Sequence, residues 1–202
     1  DAIPVTIGSR PPIHQSSITA SHYALDSHAV RKREEGRVHL DGFLSYPSAV
    51  YTVPYGVMVP KEVGNLLLPV PVSGSHIGFS TLRMEPCWMA MGQAAGIASA
   101  LSIDGKVKVQ NIDLSRLQDK LVDQKATLMY FKDVDYTSPH FRMVQYLGLR
   151  GYLPEWTARL QEPVDMATLT AWKKLSGKDL PGIEAGKTTR LVALEMIYRK
   201  IK

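Results

Sequence analysis

His28 and His76 are the side chains best suited to acid–base chemistry in this sequence, because imidazole exchanges its proton near neutral pH. His76 stands in a run of small and polar residues, Ser73-Gly74-Ser75-His76, that continues through Gly78, Ser80 and Thr81. His28 closes the stretch Tyr23…Asp26-Ser27-His28. Each also has a plain structural reading: His76 bonded to its own loop, and His28 paired with Asp26 to tie a turn. A cluster of His14, His22, Asp26 and His28 has the right donors for a metal, but its spacing matches no recognised ligand pattern, so no metal site is expected. The single cysteine, Cys87, excludes an intrachain disulfide and a cysteine-rich metal site. Its apolar neighbours mark it as core filler.

The element that must position these groups is residues 65–103, NLLLPVPVSGSHIGFSTLRMEPCWMAMGQAAGIASALSI. It opens with an apolar strand candidate, 66–72, broken by Pro69 and Pro71. The Gly/Ser loop follows, then a helix predicted from residues 83–85 to about 102. Pro86 suits the first turn of that helix, where a missing N–H costs nothing, and Ser80 or Thr81 could cap it. Gly92, Ala95, Gly96 and Ser99 put small residues at helical spacing; Trp88, Met91, Ile97 and Leu101 are bulky. Two glycines inside a helix cost roughly 1 kcal/mol each relative to alanine, which points to close approach of backbone or ligand there. Strand, small-residue loop and helix N-terminus together make a site for an anion or a polar edge, with free N–H groups and the positive dipole end directed at the loop. A plain buried strand–turn–helix is the other reading.

This segment resembles the C-terminal flavin-contacting motif of FAD-dependent oxidoreductases with a glutathione-reductase-type two-domain fold. Asn65, Leu66, Leu67, Pro69, Val70, Ser73, Ser75, His76, Arg83–Pro86, Met89 and Gly92 through Gly96 carry the likeness. Tyr23, Asp26, Ser27 and His28 resemble a second stretch of that family. Val53, Pro54, Tyr55 and Pro60 resemble a third, in which Gly56 replaces the family's arginine. Pro69-Val70-Pro71 replaces the Gly-Arg or Gly-Asp pair of wider flavoproteins. The resemblance implies that Ser75, Ser80, Thr81, Arg83, Met84, Glu85 and Gln93 contact FAD, and that His76 and His28 act as acid–base groups. Members of the family are sometimes labelled xanthan lyase, and a carbohydrate- or wall-binding role, or a polysaccharide lyase using a Tyr/His pair, stands as the alternative.

No GxGxxG follows any strand candidate, so the fingerprint that cradles a dinucleotide pyrophosphate is missing. The resemblance therefore implies the C-terminal portion of a longer enzyme, inactive alone. Its FAD would be held only with an upstream FAD-binding domain of the same polypeptide. The substrate, a small molecule or a carbohydrate, is left open, as is a periplasmic or secreted location. The net charge of +5 reads as a modest excess spread along the chain. Arg31-Lys32-Arg33, followed by Glu34-Glu35, reads as a solvated turn, and nucleic acid is not an expected partner. No stretch is long and apolar enough to suggest a membrane span.

The expected fold class is α+β. Strands are expected at about 38–40 and 50–53, with the central helix packed on these substrate-domain strands; 66–72 and 107–109 are further short strand candidates. Residues 1–125 would form this part, closing with a helix at 114–125. Residues 126–202 would form a small helical module with helices at 140–149, 163–175 and 189–201. Phe131, Asp133, Val134, Gly151, Pro163, Thr189 and Arg190 make it resemble an S-layer homology module. Polymer binding there would call for exposed aromatics beside Arg190, for which Trp156 and Trp172 are available.

Overall fold

A computed structural model describes residues 30–34, 37–41, 52–74 and 82–202 of the protein. Among the described residues the fold is helical. Five α-helices follow in order: α1 (Glu85–Gly105), α2 (Leu114–Asp123), α3 (Phe141–Leu149), α4 (Met166–Ser176) and α5 (Arg190–Ile201). Short 3-10 turns at Tyr55–Met58 and Val109–Asn111 precede and follow α1. The chain divides into two compact units, and among the described residues the division falls between Asp113 and Leu114.

The α+β expectation is corrected by this architecture: no flavoprotein sheet is present among the described residues. The described strand pairing is one antiparallel hairpin of backbone, β1 (Val30–Glu34) with β2 (Arg37–Asp41), with Val30 opposite Asp41 and Glu34 opposite Arg37. The basic run Arg31-Lys32-Arg33 thus lies in β1 rather than in a turn. The reason the sheet fails is visible at residues 66–72. Pro69 and Pro71 remove two ladder donors. What remains are single ties from Leu68 N–H to Met58 O (2.8 Å) and from Ser73 N–H to Val57 O (2.7 Å). Residues 107–109 are likewise no strand: Val109 opens a 3-10 turn. The part of 50–53 that is described, Thr52 and Val53, is irregular chain.

The first unit closes around α1. Tyr55, its ring buried, donates its hydroxyl to Val109 O at 2.9 Å, across 54 residues. Gln110 Nε2 donates to Pro60 O and Val63 O. These bonds join the turns on either side of the helix. The helix runs to Gly105, three residues past the predicted end, and terminates at Lys106 in the left-handed conformation, φ 51°. Ser102 Oγ donates to Val107 O there.

The second unit has one contiguous apolar core that includes Met129, Phe131, Val144, Leu147, Trp172, Leu194 and Ile197. Its helices begin within three residues of the predicted positions, because both later ones carry side-chain caps. Asp165 accepts from Thr168 N at 2.7 Å and Thr189 from Val192 N at 3.4 Å. Asp133 and Pro163 tie segments of this unit together. The Asp133 carboxylate accepts from Ala158 N and Arg159 N, both at 2.8 Å, and Pro163 bridges Thr189. Gln145, fully buried, accepts from Leu128 N and Met129 N and donates to Met129 O. α2 packs on α3, and α3 on α5.

Candidate functional site

The described part of the candidate site is the start of α1. Met84 is the N-cap, in extended conformation, and no side chain caps it; Pro86 occupies the second helical position. Cys87 N–H and Trp88 N–H both fold back on Met84 O, at 3.0 and 3.1 Å. Met84 and Glu85 therefore bring the backbone donors that a helix cannot pair by itself, at the positive end of the helix dipole. A further donor lies one turn on: Trp88 Nε1 is buried without a hydrogen-bond partner among the described residues. This donor set suits the polar, electron-rich edge of a flavin in kind.

Arg83, Met84 and Glu85 are exposed at the helix start, and no ion pair joins Arg83 to Glu85. Gln93 is exposed two turns along. The other predicted contacts, Ser75, Ser80 and Thr81, and both histidines, His76 and His28, lie outside the described residues. The N-cap is Met84 rather than Ser80 or Thr81. Arg83, Met84 and Glu85 are thus gathered at one helix end, and Gln93 is not.

Two other reactive side chains of this unit are held out of chemistry. Burial pushes the Tyr55 hydroxyl up to about 12, and its proton is committed to Val109 O. Burial also raises the Cys87 thiol, which keeps it protonated and inert.

The glycine side of α1 differs from expectation. A Cβ built on Gly92 or Gly96 meets nothing within 4 Å, so no described backbone makes the close approach that the sequence suggested. The buried side is made of Met91, Ala94, Ala95, Ala98, Leu101 and Ser102. On the other side Met89, Gln93, Gly96, Ala100 and Ile103 are all exposed. Their spacing of four, three, four and three residues is one continuous helix stripe. Met89 and Ile103 are each 75% exposed.

One feature of this unit was missed in the sequence. A cleft of about 460 Å³ lies beside the C-terminal half of α1, bounded by Asn65, Ser99, Ser102, Lys106 and Lys108 among others. Asn65 and Lys106 are both at positive φ, 58° and 51°. The left-handed position at a helix end is usually taken by glycine. Lysine takes the left-handed position instead, and it is the lysine that lines the cleft.

In the second unit, Arg190 is buried. It donates Nε to Ala158 O at 2.9 Å and lies over the Trp172 ring at 5.3 Å. Desolvation lowers its pKa first, and Arg159 adds to the shift. Trp172 is 1% exposed and donates to Tyr152 O. Trp156 is half-buried, edge-on to Tyr130.

The family profile described as FAD dependent oxidoreductase matches residues 10–121, more than half of the chain. The chain belongs to the FAD-dependent oxidoreductase family. No curated protein and no solved structure matches it. Family membership implies FAD in general and a flavin-linked oxidoreductase role. Among the described residues no helix is long and apolar enough to cross a membrane.

Proposed function

We propose that this chain is the C-terminal part of a flavin-dependent oxidoreductase, and that the start of α1 completes the FAD site of an upstream domain while residues before it shape the substrate pocket. The observation that carries the reading is the uncapped N-terminus of α1. The motif residues Arg83, Met84 and Glu85 stand at a helix end whose N-cap offers no side-chain acceptor, within the segment that matches the family. FAD, when bound, supplies the hydride and electron transfer. The chain's own part is electrostatic: the Met84 and Glu85 N–H groups, with the helix dipole, favour negative charge on the polar edge of the isoalloxazine. His76 and His28 are the acid–base groups in this reading, and Ser75, Ser80, Thr81 and Gln93 are further cofactor contacts. Residues 1–125 are assigned to the flavoprotein part and 126–202 to a helical module, with α2 packed on the module's α3.

Sequence supports the division of labour, because no dinucleotide-binding GxGxxG occurs in these 202 residues. The wall-binding alternative gains no support from the aromatics it needs, since Trp172 beside Arg190 is a core residue. Of the tyrosines a lyase could draw on, Tyr55 has its proton committed to Val109 O, with burial pushing its pKa up to about 12.

Flavin titration tests the proposal. FAD added to residues 1–202 should leave the flavin absorbance and fluorescence unchanged, whereas the polypeptide extended through its upstream domain should purify yellow. Micromolar binding by the chain alone would place the whole cofactor site within it. A colourless extended protein that FAD cannot reconstitute would remove the flavin from the account.

A further inference from the structure

The charge excess is not spread along the chain as its composition suggests. Residues 1–113 hold nine Lys and Arg against nine Asp and Glu; residues 114–202 hold fifteen against ten, so the whole +5 lies in residues 114–202. Within these, residues 173–202 alone carry eight cations and three acids. Two of those cations are accounted for: Lys187 pairs with Glu184, and Arg190 is buried.

The other six come together at one end of the unit. Lys178 Nζ donates to Lys200 O at 2.8 Å, and Lys200 Nζ donates back to Asp179 O at 3.1 Å. The chain leaving α4 therefore meets the end of α5. Arg150, which ends α3, lies 3.4 Å from the Tyr146 ring centroid, and Lys202 lies 5.6 Å from the same ring. The C-terminal ends of three helices thus share one surface. It bears Arg150, Lys173, Lys174, Lys178, Arg199, Lys200 and Lys202, all but the half-buried Arg150 exposed. The acid at this surface is Asp179, 3.8 Å from Lys173. Basic residues at helix C-termini complement the dipole, but one or two per helix suffice for that. Here Lys174 and Arg199 are held by no ion pair or hydrogen bond among the described residues.

We propose that this end of the second unit docks on an anionic phospholipid surface. Three observations favour a bilayer over other polyanions. Five of the seven cations are lysines, compact point charges suited to diffuse attraction rather than bidentate recognition. Leu175, 51% exposed, stands between Lys174 and Lys178, an apolar side chain framed by basic stems that can snorkel. Tyr146 and Tyr198 add the amphipathic rings of a membrane interface. Their faces are occupied by Arg150, Lys202 and each other, so nucleic-acid bases or sugar rings find no open stacking platform. Contact is peripheral and involves no spanning segment.

Sedimentation of the chain with vesicles tests this directly. Vesicles with about 30% phosphatidylglycerol in phosphatidylcholine should carry the protein down at low ionic strength and release it as salt screens the charges. Pure phosphatidylcholine vesicles should leave it in solution. Lys174→Gln/Arg199→Gln removes two cations that hold nothing in the fold. At about fivefold per charge near an anionic surface, its affinity should drop about 25-fold with the melting temperature unchanged. Leu175→Ser should weaken binding at high salt more than at low salt. No binding to the anionic vesicles, equal binding to neutral ones, or an unchanged affinity in the double variant would each overturn the proposal. Preferential capture of duplex DNA or an acidic polypeptide over the vesicles would overturn it in favour of that partner.

Discussion

The two units of this protein solve the packing of helices in opposite ways. In the second, α3, α4 and α5 each bury a face in one core, two of them are capped by their own side chains, and the buried Gln145 amide is paired through both its oxygen and its nitrogen. In the first, the longest helix has no side-chain cap, and a stripe from Met89 to Ile103, apolar but for Gln93, is exposed. A helix that is apolar around most of its circumference is a buried element in ordinary proteins. The difference teaches that the second unit is complete in its own contacts, whereas α1 carries a surface suited to a further partner. The flavin-binding domain proposed above is such a partner.

The largest expected effect probes completeness. Gln145→Met keeps the volume but strands two buried N–H groups and one carbonyl at residues 128 and 129. Leaving buried groups unpaired costs roughly 1–3 kcal/mol each, partly relieved where water reaches Leu128, so a loss of about 3–4 kcal/mol is expected in chemical denaturation. A loss below about 1 kcal/mol would mean that this network is not what holds 128–131 against α3.

One substitution made in both units should change sign. An alanine Cβ at Gly148 would sit 3.0 Å from Phe131 Cζ and 3.2 Å from Cε2, inside the core. Overpacking of about 1–3 kcal/mol outweighs the helix-propensity gain of about 1 kcal/mol, so Gly148→Ala should lower the melting temperature. At Gly96 the same Cβ meets nothing. Gly96→Ala should therefore raise the stability of the chain by up to about 1 kcal/mol. If both melts fall, the glycine face of α1 is occupied in solution and the contrast between the units is lost. Flavin content of the extended polypeptide with Gly96→Leu adds the functional half: it should fall if the cofactor domain closes on this face.

These contrasts also mark what could be read in advance. The helices of the second unit were legible because their apolar period coincides with punctuation that has a mechanism: Asp165 and Thr189 cap, and Gly177 in the left-handed conformation ends α4. The strands at 66–72 and 107–109 were misread because such apolar runs satisfy β composition while their prolines and turns deny them ladder partners; the one at 38–40 lies within β2. Near the candidate site, Pro86 located the helix start to within two residues. The cleft at Lys106 could not be anticipated, since it depends on a lysine taking a conformation usually left to glycine. The basic surface of the second unit escaped notice for a related reason. Arg150, Lys178 and Lys200 are far apart in sequence, and only the meeting of three helix ends makes them neighbours.

The smallest effect concerns the caps themselves. Asp165 has its carboxyl held below its ordinary value of 3.8, first by the Thr168 backbone N–H and then by the Thr168 hydroxyl. Asp135 is lowered in the same way by the hydroxyl and N–H of Thr137. A group whose pKa is lower folded than unfolded binds protons more readily when unfolded. Its contribution to stability is therefore complete above about pH 4 and is lost as pH falls through the folded value. Both carboxylates are fully exposed, so the effect is a shallow acid slope rather than a collapse. Asp165→Asn keeps an acceptor at the N-cap but cannot titrate. Its melting temperature should sit slightly below the wild type at pH 7, and the gap should close as pH falls below about 4. A gap that stays constant into acid would show that the cap contributes through its hydrogen bond alone.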